Sequence, residues 1–513
     1  MSRISRRSFL GAGLTLWPLA RRLSAFQIPV LPAFTRSPFT LGVASGDPAP
    51  DGVVLWTRLA LDPLEGGNLD PVPVPVHWEV AHDEQFRSIA THGTSLARPE
   101  FAHAVHIEVD GLSPARDYWY RFRAGDIFSP AGRTRTTPAA NRRVDRVRFA
   151  FSSCQNWEQG YFTALKHAAD EPIDVMFQLG DFIYEQAGRP GRPRMHLGPR
   201  LTTLDHYRSR YAQYRTDPDL QAASAAFPWI VTWDDHEVDD NYAGPFDRQL
   251  DPVEQFLVQR AAAYRAYYEH MPLRRGSLPT GPYAQMYRHV AFGDLASFFV
   301  LDTRQYRSDQ PCNDGVHEPC DGVRDPSATM LGDVQEQWLF NGLHRSARRW
   351  HLLPQQVMMA RVDLAPGPDE KISMDQWSGY DVPRTRLLNF FATRKPSNPV
   401  VLSGDIHNNW VNDLKVDFLD PASPTIGTEL VGTSISSGGD GVDFPDSMRD
   451  VMRENPFVRF FNSQRGYVRC EVTPDALVAD FRVVPYVEQP GAPISTRARF
   501  VVENGRAGAE RES

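Results

Sequence analysis

Two patterns of apolar and polar residues divide the chain near residue 140. Before that point, short β-branched and aromatic runs are bounded by Gly, Pro and Asp, as is typical of strands. These runs cover residues 52–57, 76–80 and 118–122. Leu112-Ser113-Pro114 leads into Tyr118, which is typical of the tyrosine corner of immunoglobulin-like and fibronectin-like sandwiches. The pattern predicts a smaller all-β domain of this kind over residues 36–138.

After residue 140, nearly continuous apolar runs alternate with helical stretches. The runs cover residues 147–151, 175–179, 229–233, 298–301 and 400–402, and the helical stretches cover 253–269 and 334–348. Continuous apolar runs are expected for strands that are covered on both faces. The alternation predicts an α/β domain over residues 144–490, with a late hairpin at 467–472 and 477–484 and a C-terminal tail over 491–513.

The N-terminus has the pattern of an export signal. Arg6-Arg7 precedes a short apolar stretch over residues 11–20, which predicts a twin-arginine signal over residues 1–25 and a periplasmic or secreted protein. Its partner would be the twin-arginine translocation machinery. No later apolar run is long enough for a stable membrane span, and the net charge of -8 argues against a nucleic-acid partner.

Potential metal ligands follow the predicted strands. Cys154 follows the run at 147–151, Asp181 and Tyr184 follow 175–179, and Asp234-Asp235-His236-Glu237 follows 229–233. Asp405 and His407 follow the run at 400–402. Each residue alone has an ordinary structural explanation. Ligands gather beyond the carboxyl ends of strands in α/β sheets, so the four strand ends together predict a multinuclear site for hard metals.

These residues resemble the pattern of the calcineurin-like metallophosphoesterases, with four departures. Cys154 stands where Asp-x-His is expected, Tyr184 replaces an Asp as in purple acid phosphatases, Asp235 replaces Asn, and Asp405 replaces a His. Together the departures resemble the alkaline phosphatase D family. The lone His of the general pattern has no counterpart here. The resemblance implies a four-layer α-β-β-α metallophosphoesterase sandwich that hydrolyses phosphoric mono- or diesters.

The resemblance also implies Fe³⁺ and Ca²⁺ as cofactors. Anionic thiolate and phenolate ligands stabilise trivalent iron, and carboxylate oxygens suit Ca²⁺. The implied metal ligands are Cys154, Asp181, Tyr184, Asp235, Asp405 and His407. Asp181 would bridge the ions, and Asn241 is an alternative to Asp235 as the calcium ligand.

The implied mechanism is in-line attack of a metal-held hydroxide on phosphorus. His236 would stabilise the transition state or protonate the leaving oxygen, and Glu237 would orient it or be a simple surface acid. Arg304, Arg307 and Asn156 are candidates for contact with a small phosphoester substrate, with a structural salt bridge as the alternative for either arginine. Cys312 and Cys320 flank a short loop, which predicts a disulfide in an oxidising compartment.

Two other functions are compatible with these residues. One is a phospholipase D-like phosphodiesterase that acts on lipid headgroups. The other is a non-catalytic exported binding protein that is stabilised by metals. An open, histidine-flanked position argues against the second, because a structural metal site has no need of one.

Overall fold

The computed structural model describes residues 34–512, so the signal predicted over residues 1–25 lies outside the described residues. Eight strands precede residue 140. They are β1 (Val43–Ala49), β2 (Gly52–Arg58), β3 (Val74–Ala81), β4 (Ile89–Ala97), β5 (Ala104–Val109), β6 (Asp117–Ala124), β7 (Ile127–Phe128) and β8 (Gly132–Arg135).

Sixteen further described strands and seven α-helices follow. The strands are β9 (Val147–Ser152), β10 (Val175–Gln178), β11 (Pro228–Val231), β12 (Arg288–Phe292), β13 (Ala296–Val300), β14 (Val316–His317), β15 (Trp350–Pro354), β16 (Ile372–Ser373), β17 (Pro399–Ser403), β18 (Asn409–Lys415), β19 (Thr425–Val431), β20 (Val458–Asn462), β21 (Arg465–Val472), β22 (Ala476–Val484), β23 (Ser495–Glu503) and β24 (Glu510–Arg511). The helices are α1 (Thr163–Ala169), α2 (Leu204–Arg215), α3 (Pro218–Ala226), α4 (Val253–His270), α5 (Gly332–Arg345), α6 (Asp381–Arg394) and α7 (Met448–Glu454).

Two large mixed sheets organise the chain. One has ten strands in the order β24-β23-β22-β21-β9-β10-β11-β1-β2-β5, and the other has seven in the order β12-β13-β15-β17-β19-β18-β20. The parallel strands β9, β10 and β11 lie in the centre of the first sheet. The parallel strands β13, β15, β17 and β19 lie in the second. These parallel segments bring several strand ends to one edge.

The strands with continuous apolar runs are covered on both faces, as predicted. Successive residues of a strand point to opposite faces of the sheet, and here each face packs against a different layer. Phe149 and Phe177 of the ten-stranded sheet contact Phe298 of the seven-stranded sheet, with ring centroids 5.2 and 4.8 Å apart. Ala150 and Met176, on the other face of the same strands, pack in the cluster that contains residues of α1 to α4. Helices α5 and α6 pack in a separate cluster with the seven-stranded sheet.

Local sequence fixes where the helices begin. Pro218 occupies the first turn of α3, and the preceding Asp217 accepts hydrogen bonds from the backbone N–H groups of Asp219 and Leu220 at 2.9 and 3.0 Å. A carboxylate in this position satisfies amides that have no partner inside the helix. Helix α3 therefore begins at the residue that its sequence indicates.

The N-terminal strands belong to two sheets. Strands β3, β4, β6 and β7 form a sheet of their own with β8 paired to β6, whereas β1 pairs in parallel with β11. Strands β2 and β5 thus extend the ten-stranded sheet. The hydroxyl of Tyr118 accepts a hydrogen bond from the backbone N–H of Ser113 at 2.8 Å. One layer of the predicted sandwich is continuous with the following α/β region.

The segment from residue 491 is not a tail, contrary to the prediction. β23 pairs with β22 over Ser495 to Glu503, and β24 extends the sheet further. The apolar side chains of Ala498, Phe500 and Val502 alternate with more exposed side chains and are buried against the inter-sheet core. Within residues 34–512, no helix combines the length and apolar character that a bilayer crossing needs.

Candidate metal centre

The predicted donors converge at the carboxyl ends of the parallel strands. Cys154 follows β9, Asp181 follows β10, Asp235 follows β11, and Asp405 and His407 follow β17 of the other sheet. Four of these five residues have left-handed backbone conformations, with φ of 58° at Cys154, 57° at Asp181, 65° at Asp405 and 58° at His407. Such conformations are uncommon outside glycine and concentrate at functional sites.

Gly180 allows one of these turns to close. Its φ is 118°, and a Cβ there would lie 2.6 Å from the backbone nitrogen of Asp234. A side chain would therefore separate the loop after β10 from the loop after β11. The glycine keeps Asp181 beside the acidic cluster of the next strand.

The donor atoms form three overlapping groups. In each group the atoms lie within 4.8 Å of one another. The groups are Cys154, Asp181 and His407; Asp181, Asp235 and His236; and Asp234, Asp235 and Asp405. The first offers sulfur, nitrogen and oxygen, and the third offers only carboxylate oxygens. Asp181 is common to the first two groups, and Asp235 is common to the last two.

Tyr184 completes the first group. Its hydroxyl donates to Asp181 Oδ2 at 2.8 Å, lies 3.3 Å from His407 Nε2, and accepts a hydrogen bond from Ser437 at 2.7 Å. The structure therefore places the phenol oxygen with the thiol, carboxylate and imidazole donors. Ser437 was not predicted, because it lies in a loop after β19 with no flanking motif.

Burial opposes charge on these groups. It raises the pKa values of the Cys154 thiol and the Tyr184 phenol, and the Asp181 carboxylate raises both further. Burial also raises the pKa of Asp181, and it lowers the pKa of His407 to about 3. A bound cation would reverse these effects for the acidic groups by compensating their negative charge.

Arg304 is the cation at the centre of the carboxylates. It pairs in a bidentate manner with Asp375 at 2.7 and 2.9 Å and donates to Asp234. It also lies 3.4 Å from Asp235 Oδ1 and 3.5 Å from Asp405 Oδ1. Its side chain is fully buried, and its ion pairs are with these carboxylates. This position agrees with the structural salt bridge that was the alternative to a substrate contact for Arg304.

Arg307 also has a structural position. It is buried and donates to the carboxylate oxygen of Asp375 at 3.1 Å and to the backbone carbonyl of Asp375 at 2.5 Å. Asn156 caps a short 3₁₀ helix by accepting a hydrogen bond from the backbone N–H of Glu158 at 2.9 Å. The proposed substrate contacts of these residues stay predictions, and the contacts that the structure gives them are internal.

His236 is oriented by Glu185 rather than by Glu237. Its Nδ1 lies 2.7 Å from Glu185 Oε2. Its Nε2 is 3.9 Å from Asp240 Oδ1 and 4.0 Å from Asp235 Oδ2, which is too far for a hydrogen bond. Burial lowers the pKa of His236, but Glu185 and the two aspartates at the site, Asp235 and Asp181, outweigh it and raise that pKa well above the usual value. Glu185 thus fixes Nδ1, and Nε2 is available to contact a ligand.

Glu237 has a structural role that the sequence did not indicate. Its carboxylate accepts backbone N–H groups from Asp181 at 3.0 Å, Phe182 at 2.5 Å and Asp234 at 2.8 Å. It is therefore neither an orienting partner of His236 nor a surface acid. It joins the loops after β10 and β11, because their inward-facing amides have no strand partner at this point.

Asp235 and Asn241 differ in their availability as ligands. Asp235 Oδ2 accepts the backbone N–H of Asn241 at 2.7 Å, whereas its buried Oδ1 has no hydrogen-bond partner among the described residues. The side-chain amide of Asn241 donates to Asp314 Oδ2 at 2.7 Å. Asp405 accepts a hydrogen bond from Gln376. Asp235 is therefore the better-placed candidate ligand, and the side-chain amide oxygen of Asn241 is the second candidate.

The cysteines fall into two classes. Cys312 and Cys320 are bonded to each other, with their Cα atoms 5.9 Å apart, and Cys154 and Cys470 are free and buried. Cys470 lies in β21 within the inter-sheet core. Cys154 is thus the free thiol that lies among other donors.

Similarity to known proteins identifies the family of this chain. The PhoD-like phosphatase family matches residues 149–481, and its N-terminal domain matches residues 26–138. Alkaline phosphatase D of Bacillus subtilis (strain 168) is 51% identical over 509 residues, which is 98% of this chain and 87% of that protein. A solved structure of PhoD aligns with a TM-score of 0.92 and 52% identity, covering 94% of this chain and 93% of that one. The chain belongs to the PhoD-like phosphatase family and is a phosphoester hydrolase.

Proposed function

We propose that the protein is an exported hydrolase of phosphoric mono- and diesters that uses Fe³⁺ and Ca²⁺. The observation that carries the proposal is the pair of adjacent donor groups, one with sulfur, nitrogen and phenol donors and one with carboxylates alone. Iron suits the first group and calcium the second. The twin arginines of the N-terminus support the proposal that the protein is exported.

The residues present fit bound metals. Asp235 Oδ1 is buried and has no hydrogen-bond partner among the described residues. The buried carboxylates Asp234, Asp235, Asp375 and Asp405 share Arg304 as their central cation. Uncompensated buried carboxylates are costly unless they bind a cation. Cys154, Asp181, Tyr184 and His407 would hold iron, and Asp181, Asp235 and Asp405 would hold calcium, with Asn241 as the alternative.

When bound, the metals would neutralise phosphoryl oxygens and activate a water nucleophile. The chain itself contributes His236. Glu185 fixes its Nδ1 at 2.7 Å and favours the cationic ring, so that Nε2 can donate a proton to a phosphoryl oxygen or to the leaving oxygen. Glu237 and Arg304 keep the strand-end loops in place. His236 is therefore the catalytic residue of the proposal, and Glu185 is its positioning residue.

The fold supports the same assignment. We infer that the order of helices, two sheets and helices is the four-layer metallophosphoesterase sandwich, and that the strands before residue 140 form an immunoglobulin-like β-domain. The three core clusters that join these layers support the first inference. The hydrogen bond from Ser113 to Tyr118 supports the second.

Replacing each free cysteine in turn tests the metal assignment. We expect Cys154→Ala, exported through its own signal, to lose iron by metal analysis together with turnover of p-nitrophenyl phosphate. Cys470→Ala is the matched control, since it removes an equally buried thiol in β21, and it should keep both. Full iron content and turnover in Cys154→Ala would contradict the assignment. Parallel assays with bis(p-nitrophenyl) phosphate compare diester with monoester turnover.

A further inference from the structure

A basic cavity lies at the amino ends of the parallel strands of the seven-stranded sheet, opposite the carboxyl ends where the proposed metal ligands lie. It has a volume of about 900 Å³, which is within the range of small-ligand sites. Its charged lining residues are Arg143, Arg348, Arg349, Arg394, Lys395 and Asp294. Five cations therefore face a single carboxylate in a chain whose net charge is -8. We call this the basic cavity.

The cations of the basic cavity are largely unpaired. Among residues 34–512, no carboxylate lies within 4.0 Å of the charged atoms of Arg348, Arg349, Arg394 or Lys395, whereas Arg143 lies 3.8 Å from Asp145. Asp294 offsets only one of these five charges, and its carboxylate accepts the backbone N–H of Val144 at 3.0 Å. The cavity thus keeps a strong positive potential.

Helix ends account for only part of this charge. Arg394 and Lys395 lie at the C-terminus of α6, where cations favourably meet the helix dipole. Arg143 comes from the segment before β9, and Arg348 and Arg349 come from the segment between α5 and β15. The backbone of Asp294 holds these two segments together. Its N–H donates to Arg142 O at 3.0 Å, and its carbonyl accepts from Arg349 N at 3.4 Å.

The basic cavity is separate from the metal centre. Its lining residues Leu295, Arg349 and Ser397 precede the parallel strands β13, β15 and β17, whereas Asp405 and His407 follow β17. A strand of five residues spans roughly 16 Å. A small ester at the metal centre therefore does not reach the cavity.

We propose that the basic cavity is a second binding site, for an anion that carries several phosphate groups. Guanidinium forks match the oxygens of phosphate, and cations from three chain segments around 900 Å³ suit several phosphates better than one. The concave shape favours a soluble or polymeric phosphate chain over the flat surface of a bilayer. The site is independent of the metals, because none of the proposed metal ligands lines it.

Binding of inorganic tripolyphosphate to the metal-loaded protein tests the proposal. The variant Arg143→Gln/Arg394→Gln/Lys395→Gln removes three cations whose side chains make no hydrogen bonds within the described residues. The matched control is Arg98→Gln/Arg116→Gln/Lys166→Gln, which removes the same charge from exposed side chains outside the cavity. Calorimetric titration at low and moderate salt measures the affinity of each variant, and kcat/KM for p-nitrophenyl phosphate checks that folding is intact.

We expect two classes of tripolyphosphate sites in the wild-type protein. The cavity variant should lose one class, with binding weakened about tenfold or more, and should keep the kcat/KM of the wild type. Equal binding by the wild type and the cavity variant, or equal weakening in the control, would overturn the proposal. Binding to phosphatidylglycerol vesicles that needs these three cations, without tripolyphosphate binding, would overturn it in favour of a membrane surface.

Discussion

Tyr184 is the residue on which the iron assignment depends most directly. Its hydroxyl contacts Asp181, His407 and Ser437, and its side chain is 4% exposed, so Tyr184→Phe removes one oxygen and keeps the ring. The metal-loaded wild type should have a visible absorption band from tyrosinate on ferric iron, and the variant should lose that band and most turnover. Absorption spectra and steady-state assays measure both. A coloured, fully active Tyr184→Phe protein would exclude Tyr184 as a ligand.

Calcium chelation should separate the two donor groups. The carboxylates of Asp235 and Asp405 belong to a different donor group from the Cys154 thiol, so a mild calcium chelator should abolish most turnover while the visible band stays, and added Ca²⁺ should restore turnover. The physical reason is that hard carboxylate sites exchange Ca²⁺ readily, whereas thiolate and phenolate retain Fe³⁺. Absorption and activity are followed in the same sample. Loss of colour in parallel with activity would mean that the chelator removes both metals.

Glu185 acts through His236, so its replacement should change catalysis rather than binding. Glu185→Gln keeps the shape of the side chain but removes the charge beside Nδ1. We expect kcat to fall about 10- to 100-fold, while KM stays nearly constant. The double variant Glu185→Gln/His236→Gln should be no slower than His236→Gln alone, because the two residues act as one unit. Additive losses would show that Glu185 has a separate role.

At the scale of single residues, the sequence predicted donors and missed their partners. Cys154, Asp181, Asp235, Asp405 and His407 were predicted as donors because each lies two to four residues after the end of an apolar strand. Glu185, Asp375 and Gln376 lie in loops, where no periodicity indicates which way a side chain faces. The misassignment of Glu237 has the same cause. The structure pairs it with three backbone amides that come from two separate loops.

At the scale of elements, the contact between β1 and β11 depends on Gly46. A Cβ at this position would lie 2.7 Å from Trp229 O and 2.5 Å from Pro272 O, so Gly46→Ala must displace backbone. We expect it to lower the free energy of unfolding by about 1–3 kcal/mol. Gly276→Ala is the control, because no atom lies within 4 Å of its added Cβ, and it should change stability by less than about 0.5 kcal/mol. Urea unfolding of the two variants measures the difference.

The same strand shows why element prediction was incomplete. β1 has the sequence Val-Ala-Ser-Gly-Asp-Pro-Ala, whose small and turn-forming residues indicate a loop rather than a strand. Its pairing with β2 and β11 is tertiary. β23 was missed for a similar reason, since its partners β22 and β24 close an edge that no local pattern indicates. The strands with continuous apolar runs were predictable, because a strand that is buried on both faces is apolar at nearly every position.

At the scale of the whole molecule, the two predicted domains share one sheet. The interface is strengthened by His106 of β5, whose Nε2 lies 2.8 Å from Tyr268 O and 2.9 Å from Met271 O, and whose ring stacks on Tyr268 with centroids 4.5 Å apart. His270, at the end of α4, lies 2.8 Å from Arg58 of β2. Contacts of this kind make the N-terminal strands part of the folded unit that carries the candidate metal centre. We therefore expect the two regions to unfold together.

His106 also makes this interface sensitive to acid. Burial lowers the pKa of His106 to about 4 from an ordinary value of 6.5, so the folded state keeps the ring neutral where the unfolded chain binds a proton. Between pH 6.5 and about 4 the unfolded state therefore binds more protons, and stability is lost as the pH falls through this window. His106→Gln should lose stability less steeply over that range than the wild type. Chemical unfolding at several pH values measures the slope, with the exposed His92→Gln as the matched control. Acid loss of metal affects all three proteins alike, so an unchanged slope in His106→Gln alone would show that His106 does not couple the interface to pH.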